Sequence, residues 1–169
     1  MKIRGFEKIS EKQYLVDFKD IIKARTLEEY WNYNEIQTPK RSTSKSAGND
    51  VFCPVDIWLL PNEEFKIPTG IKAYMLDDEV LKAYPRSSLG FKYYLRFANT
   101  IPIIDADYYN NKNNEGHIWI KVRNEGDKTL HVEKGEAICQ FVFEKYLLAD
   151  GDSYEGEERI GGIGSTNRS

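Results

Sequence analysis

The chain has 169 residues, an ordinary apolar share of 40%, a high aromatic share of 13% and a formal charge of −3 at neutral pH. That length predicts one domain over 1–169, and the charge argues against a surface built to coat a nucleic-acid backbone, which needs a basic face. No apolar run approaches bilayer length, Met1-Lys2-Ile3-Arg4 leads into mixed sequence rather than a signal-peptide core, and Cys53 and Cys139 lack the spacing of a zinc knuckle or disulfide framework; a reducing, cytoplasmic compartment with no membrane and no nucleic acid as partner is expected.

The first pattern along the chain is helical. Ile21, Ile22, Ala24, Leu27, Tyr30 and Trp31 recur at helical spacing in a charged background, which predicts a short surface helix over 20–34. After residue 50, β-branched and aromatic runs predict strands at 51–53, 57–60, 65–68, 71–75, 80–84, 118–122, 130–132 and 137–143. Pro61-Asn62 and the run Asn110-Asn111-Lys112-Asn113-Asn114-Glu115-Gly116 have turn composition. Many short strands at this spacing predict an all-β sandwich, jelly roll or barrel. From Ala149 the chain turns acidic and then glycine-rich (Gly151, Gly156, Gly161, Gly162, Gly164), which predicts a mobile arm over about 149–169.

Five short motifs carry the chemistry. Ser46-Ala47-Gly48-Asn49-Asp50 is small and polar before a strand, and is either a plain turn or a seat for Asp50 beside a metal-bound water. Pro85-Arg86-Ser87-Ser88-Leu89-Gly90 follows a strand. It can form an anion nest of amides and hydroxyls with Arg86 as a fork, or a helix start capped by Ser87 or Ser88. In Asn99-Thr100-Ile101-Pro102-Ile103-Ile104-Asp105-Ala106-Asp107-Tyr108, strand alternation places Asp105 and Asp107 on one face. A carboxylate at the end of an apolar strand can be desolvated into a general base, or can close an Asx turn. Gly135-Glu136-Ala137-Ile138-Cys139-Gln140 offers an amide. Gly161-Gly162-Ile163-Gly164-Ser165-Thr166 lacks the lysine and following helix of a P-loop, and reads as a flap over phosphates or as a plain tail. His117 and His131 have no partner at metal spacing and read as structural. Hydroxyls, one carboxylate, an amide and a glycine loop suit a small molecule bearing several phosphates.

In this order and spacing the five motifs resemble those of the homotrimeric deoxyuridine triphosphatases (dUTP diphosphatases), over about 39–166. Asp105-Ala106-Asp107-Tyr108-Tyr109-Asn110-Asn111, closing at Asn114-Glu115-Gly116-His117, looks like the bacterial and phage branch. The residues at about 10–37 look like an insertion. The resemblance implies a distorted jelly roll of the β-clip kind, a homotrimer, active sites shared among three chains, and hydrolysis of dUTP to dUMP and pyrophosphate with Mg²⁺. It implies that Asp105 activates the attacking water. Asn99, Ile101 and Ile104 lie in the hairpin that reads uracil, and Tyr108 packs on deoxyribose. By the same resemblance Arg86, Ser87, Ser88 and Gln140 meet phosphates or ordered water, and Asp50 holds waters of the Mg²⁺. Arg159, Gly162, Ile163, Gly164 and Ser165 belong to an arm that covers the substrate.

Four positions depart from the family pattern. Ile163 replaces a stacking Phe, and Arg159 stands one residue closer to it than the usual arm arginine. Pro102 replaces a common Gly and offers no N–H, and Ala137 replaces a common Arg. These changes keep open a nucleotide-binding regulator on a decayed scaffold. A dCTP deaminase shares the fold, but needs a glutamate where this chain has Lys121.

Overall fold

The computed structural model describes residues 2–25 and 32–154. In chain order the elements are β1 (Gly5–Lys8), α1 (Glu11–Arg25), a 3₁₀ turn (Tyr33–Glu35), β2 (Lys40–Arg41), β3 (Asn49–Phe52), β4 (Ile57–Leu59), β5 (Glu64–Pro68), β6 (Ile71–Tyr74) and β7 (Glu79–Pro85). Then come α2 (Ser87–Tyr93), β8 (Leu95–Phe97), β9 (Ile103–Asp105), a second 3₁₀ turn (Ala106–Tyr108), β10 (Trp119–Asn124), β11 (Leu130–Val132) and β12 (Ala137–Lys145).

The strands form a five-stranded sheet in the order β2-β3-β12-β7-β9, a three-stranded sheet β5-β10-β8, and two ribbons, β1-β6 and β11-β4. Every pairing is antiparallel. Alternation decides what each strand buries. In β4, Ile57 and Leu59 point inward while Trp58 is exposed, and in β5 Phe65 and Ile67 are buried between exposed Glu64 and Lys66. Leu81, Ala83, Cys139 and Phe141 from the large sheet join Ile67, Ile120 and Leu95 from the smaller one in one buried cluster. This is an all-β fold, as the strand spacing predicts, and is jelly-roll-like, as the family resemblance implies. Burial pushes the Cys53 thiol up to about 12 and raises Cys139 well above the ordinary thiol value, so neither is a nucleophile at neutral pH.

The helix begins earlier than the sequence pattern places it, and 20–25 of the expected 20–34 is helical. α1 starts at Glu11, with the Ser10 hydroxyl accepting the Gln13 N–H at 3.1 Å as its cap. Among its described side chains the buried ones are Tyr14 and Phe18, one turn apart and stacked with ring centroids 5.2 Å apart. The predicted helical residues Leu27, Tyr30 and Trp31 lie outside the described residues, as do the side chains of Ile21, Ile22 and Ala24.

One buried polar residue joins the smaller sheet to its neighbours. The Asn124 amide donates to Leu59 O at 2.9 Å and Lys128 O at 2.8 Å, and its oxygen accepts the Gly126 N–H at 3.0 Å. Asn124→Ala orphans three backbone groups, of which the Leu59 carbonyl is buried, and is expected to cost about 1–3 kcal/mol of stability. Urea denaturation reads it as a lower midpoint at unchanged slope.

Candidate active site

Three of the five motifs meet on the outward face of the five-stranded sheet. Register puts Asp50 of β3 opposite Gln140 of β12, and Gln140 opposite Tyr84 of β7. β7 ends at Pro85, and the next residue, Arg86, turns back over this row. Its Nε lies 3.5 Å from Asp50 Oδ1, and Nη1 donates to Ala137 O at 3.3 Å. The other Asp50 oxygen accepts the Ser42 hydroxyl. Gln140 Nε2 donates to Pro85 O at 3.4 Å. Gly48 makes room for this amide: a Cβ there would lie 2.1 Å from Gln140 Oε1. Ser42 and Gly48 are part of the site, and only their small size and closeness to Asp50 mark them in the sequence.

The Arg-Ser-Ser run resolves between its two readings. It opens a helix, α2, but the cap position is Arg86 and no side chain caps it. Ser87 and Ser88 are the first two helical residues and both are exposed. The first intrahelical bond is Gly90 N–H to Arg86 O at 2.9 Å, so the amides before it have no partner within the helix. Two hydroxyls, these amides, the Arg86 guanidinium and the Gln140 amide crowd one corner. That set can hold several phosphate oxygens. Asp50 beside it can hold water on a cation. Among the described residues no three His, Cys, Asp or Glu side chains gather to ligate a metal directly. A single carboxylate suits an ion that keeps most of its waters and rides on substrate phosphates, which is how Mg²⁺ prefers to bind.

The third motif lies elsewhere. Asp105 ends β9 opposite Val80 at the start of β7, on the same face as Tyr84 and Gln140. From Asp50 it is three strand spacings across and two face-sharing rows along, about 20 Å in all. The chain therefore holds Asp105 and the corner of Asp50, Arg86 and Gln140 at opposite ends of one sheet face. The expected alternation of Asp105 with Asp107 does not occur, because the strand stops at Asp105 and a 3₁₀ turn carries Ala106–Tyr108. Nor is Asp105 desolvated by its own chain; it is exposed. Ile104 points into the core, leaving only its backbone for a ligand.

Residues 98–101 form the turn between β8 and β9, with Asn99 and Ile101 exposed and Thr100 at a φ of 66°. It is not a two-strand hairpin: β8 pairs with β10 in one sheet and β9 with β7 in the other. Pro102 has no N–H, but its carbonyl accepts the Ala83 N–H at 3.1 Å and extends the β7–β9 edge. Tyr108 is buried, as its local sequence suggests. Its hydroxyl donates to His117 O at 3.0 Å and accepts from Asn114 Nδ2 at 2.8 Å. Asn111 organises the loop behind it, donating to Tyr108 O at 3.0 Å and accepting the Asn113 and Asn114 N–H groups. This asparagine clamp reads in sequence only as turn composition. His117 and His131 are structural as expected, one buried and the other stacked on Trp58. Arg159, Gly162, Ile163, Gly164 and Ser165 lie outside the described residues.

The dUTPase family model matches residues 34–166. A deoxyuridine 5'-triphosphate nucleotidohydrolase of Lactococcus lactis is 44% identical over 98% of this chain and 99% of its own length. The crystal structure of the dUTPase from Streptococcus mutans superposes with a TM-score of 0.67 at 36% identity, covering 87% of this chain and 99% of that one. A dUTPase from phage phi11 of S. aureus has the same fold at 17% identity, with a TM-score of 0.63 over 93% of this chain and 99% of that one. The chain belongs to the dUTPase family.

Proposed function

We propose that this protein hydrolyses dUTP to dUMP and pyrophosphate through a water that attacks the α-phosphorus in line. The reading is carried by one observation: Asp50, Arg86, Ser87, Ser88 and Gln140 converge on one corner of a chain of this family. Arg86, Gln140 and the first amides of α2 bind the phosphates and neutralise charge on the departing pyrophosphate. Asp105 takes the proton of the attacking water. The turn at 98–101 reads the uracil edge, and the Tyr108 ring lies against the deoxyribose and excludes a ribose hydroxyl. Asp50 would hold the waters of a bound Mg²⁺, which would supply positive charge along the triphosphate.

The separation within one protomer supports a homotrimer. Asp105 stands about 20 Å from its own phosphate corner, so a second copy must bring the complementary half to complete a site. The residues at 10–37 are an insertion in a single domain, and the arm at 149–169, with Arg159, Gly162, Ile163, Gly164 and Ser165, closes over the substrate. Small nucleotides, rather than nucleic acid or lipid, are the partners. The enzyme works in the cytoplasm; among the described residues no helix is long and apolar enough to cross a membrane.

A panel of deoxy- and ribonucleoside triphosphates, assayed for pyrophosphate with Mg²⁺ and with EDTA, tests the reading. Pyrophosphate from dUTP, lost on chelation and small for dCTP, dTTP and UTP, is expected. A site paired to uracil discriminates by about 10⁴ or more. Ammonia from dCTP, or dUTP binding without turnover, overturns it. A sedimentation mass of one chain contradicts the shared site.

A further inference from the structure

We propose that Asp17, on α1, is a positioning residue for this reaction: through His117 it fixes the loop that carries Tyr108 and so sets the sugar pocket. The proposal rests on the reading that Tyr108 faces the deoxyribose. It assigns a task to the helix of the inserted segment, which touches none of the motif residues in sequence.

Two tethers, about a hundred residues apart in the chain, join α1 to the loop at 109–117. The first is at the cap of the helix. The Ser10 N–H donates to Glu115 Oε2 at 2.9 Å and its hydroxyl donates to Glu115 Oε1 at 2.5 Å, while the same hydroxyl caps the helix. The second is mid-helix. Asp17 Oδ2 lies 2.5 Å from His117 Nδ1, and the His117 side chain has no exposed surface.

The hydrogen-bond pattern sets the state of that imidazole. Nε2 accepts the Gly70 N–H at 2.8 Å, so it carries no proton, and the ring hydrogen sits on Nδ1 and points at Asp17. Burial favours the neutral ring, while Asp17 and Glu115 act against that and Lys66 acts with it. The ring is held at both nitrogens and packed against Tyr14 and Trp119. Its backbone is therefore a fixed point. The His117 carbonyl is where the Tyr108 hydroxyl is tied, at 3.0 Å, and the His117 N–H closes the turn on Asn114 O at 2.9 Å. Asn114 in turn donates to the Tyr108 hydroxyl. Deleting the Asp17 carboxylate leaves the Nδ1–H buried without its acceptor. The ring must then shift, and the shift passes through one residue to the anchor of Tyr108.

The readout is the ratio of kcat/KM for dUTP over UTP, because a smaller folded fraction lowers both activities equally and leaves the ratio unchanged. Asp17→Ala is expected to lower the ratio by about 10-fold, since sub-ångström errors in a positioned ring are costly. Asp17→Asn keeps an oxygen to accept the Nδ1–H and is expected to restore most of the ratio. Tyr108→Phe keeps the ring but cuts its tie to His117, and is expected to lower the ratio in the same way. Should Asp17→Ala fail to fold, Tyr108→Phe alone decides. An unchanged ratio in Asp17→Ala, or in Tyr108→Phe where that variant alone decides, overturns the positioning role. A wild-type enzyme whose ratio is itself near one overturns instead the reading beneath it, that Tyr108 excludes the ribose hydroxyl.

Discussion

Asp105→Asn is expected to lower kcat for dUTP by about 10²–10⁴-fold, the usual contribution of a positioned general base, with nucleotide affinity preserved within a few-fold. Asparagine matches aspartate in shape and keeps an oxygen, but it cannot take a proton from water. Its surroundings favour survival of the fold. Asp105 is the last residue of β9, points outward, and is exposed on its own protomer. The strand is held by its neighbours: Ile104 is buried opposite Leu81, and the Pro102 carbonyl accepts the Ala83 N–H. The variant should therefore keep the wild-type denaturation midpoint and bind a non-hydrolysable dUTP analogue normally. Single-turnover kinetics separates the chemical step from product release. A kcat equal to wild type removes Asp105 from the role of base, and leaves the water to be activated by another group. The separation of about 20 Å between Asp105 and the corner of Asp50 and Arg86 in one chain sharpens this. In the proposed homotrimer, mixing Asp105→Asn with a variant disabled at Arg86 should restore activity, since their defects would fall on different halves of a shared site.

The strands were legible because their residues bury on one face and alternate. The run at 130–132 matches β11, and the others differ by a residue or two at their ends. What escaped notice had little apolar signal. Gly5-Phe6-Glu7-Lys8 and Lys40-Arg41 form strands through backbone pairing with β6 and β3, and their side chains would suit a loop as well. In the first half of α1 Tyr14 and Phe18 are buried amid charge, a thinner apolar signal than the run that begins at Ile21 and Ile22. Leu95–Phe97 is too short to separate from the turn after it.

For the site, residue types were readable and their partition was not. Asp50, Arg86 and Gln140 are far apart in the chain and meet because β3, β12 and β7 are adjacent in one sheet. Register alone determines that Asp105 falls at the other end of β7. The expectation that Asp105 and Asp107 share a face failed for a local reason. Alternation holds only while the backbone stays extended, and here it tightens into a 3₁₀ turn immediately after Asp105. That turn also brings Tyr108 inward, where His117 and Asn114 hold its hydroxyl.

Gly116→Ala is expected to be the most damaging single methyl group added to the loop behind Tyr108. Gly116 has a φ of +78°, in the left-handed region that costs an L-residue about 1–2 kcal/mol. A Cβ there would also lie 2.5 Å from the Tyr108 carbonyl oxygen and 3.0 Å from both Asn110 N and Tyr109 Cα. These are backbone atoms, and they cannot swing aside as a side chain can. The Tyr108 carbonyl already accepts the Asn111 amide at 3.0 Å, so displacing it opens the asparagine clamp. The total loss is expected to be about 3 kcal/mol, seen as a lower urea midpoint. Gly135 supplies the control. Its φ is +81°, but the nearest atom to a Cβ there is Gln37 Nε2 at 3.8 Å. Gly135→Ala should thus show the conformational cost alone, about 1 kcal/mol. The difference between the two variants measures the contact with the Tyr108 backbone. Gly116→Ala should also raise KM for dUTP in the fraction that folds, because Tyr108 moves with its carbonyl, whereas Gly135→Ala should not. Equal destabilisation by the two substitutions would mean that the 108–117 loop yields freely, and that the packing behind Tyr108 is not what holds its ring in place.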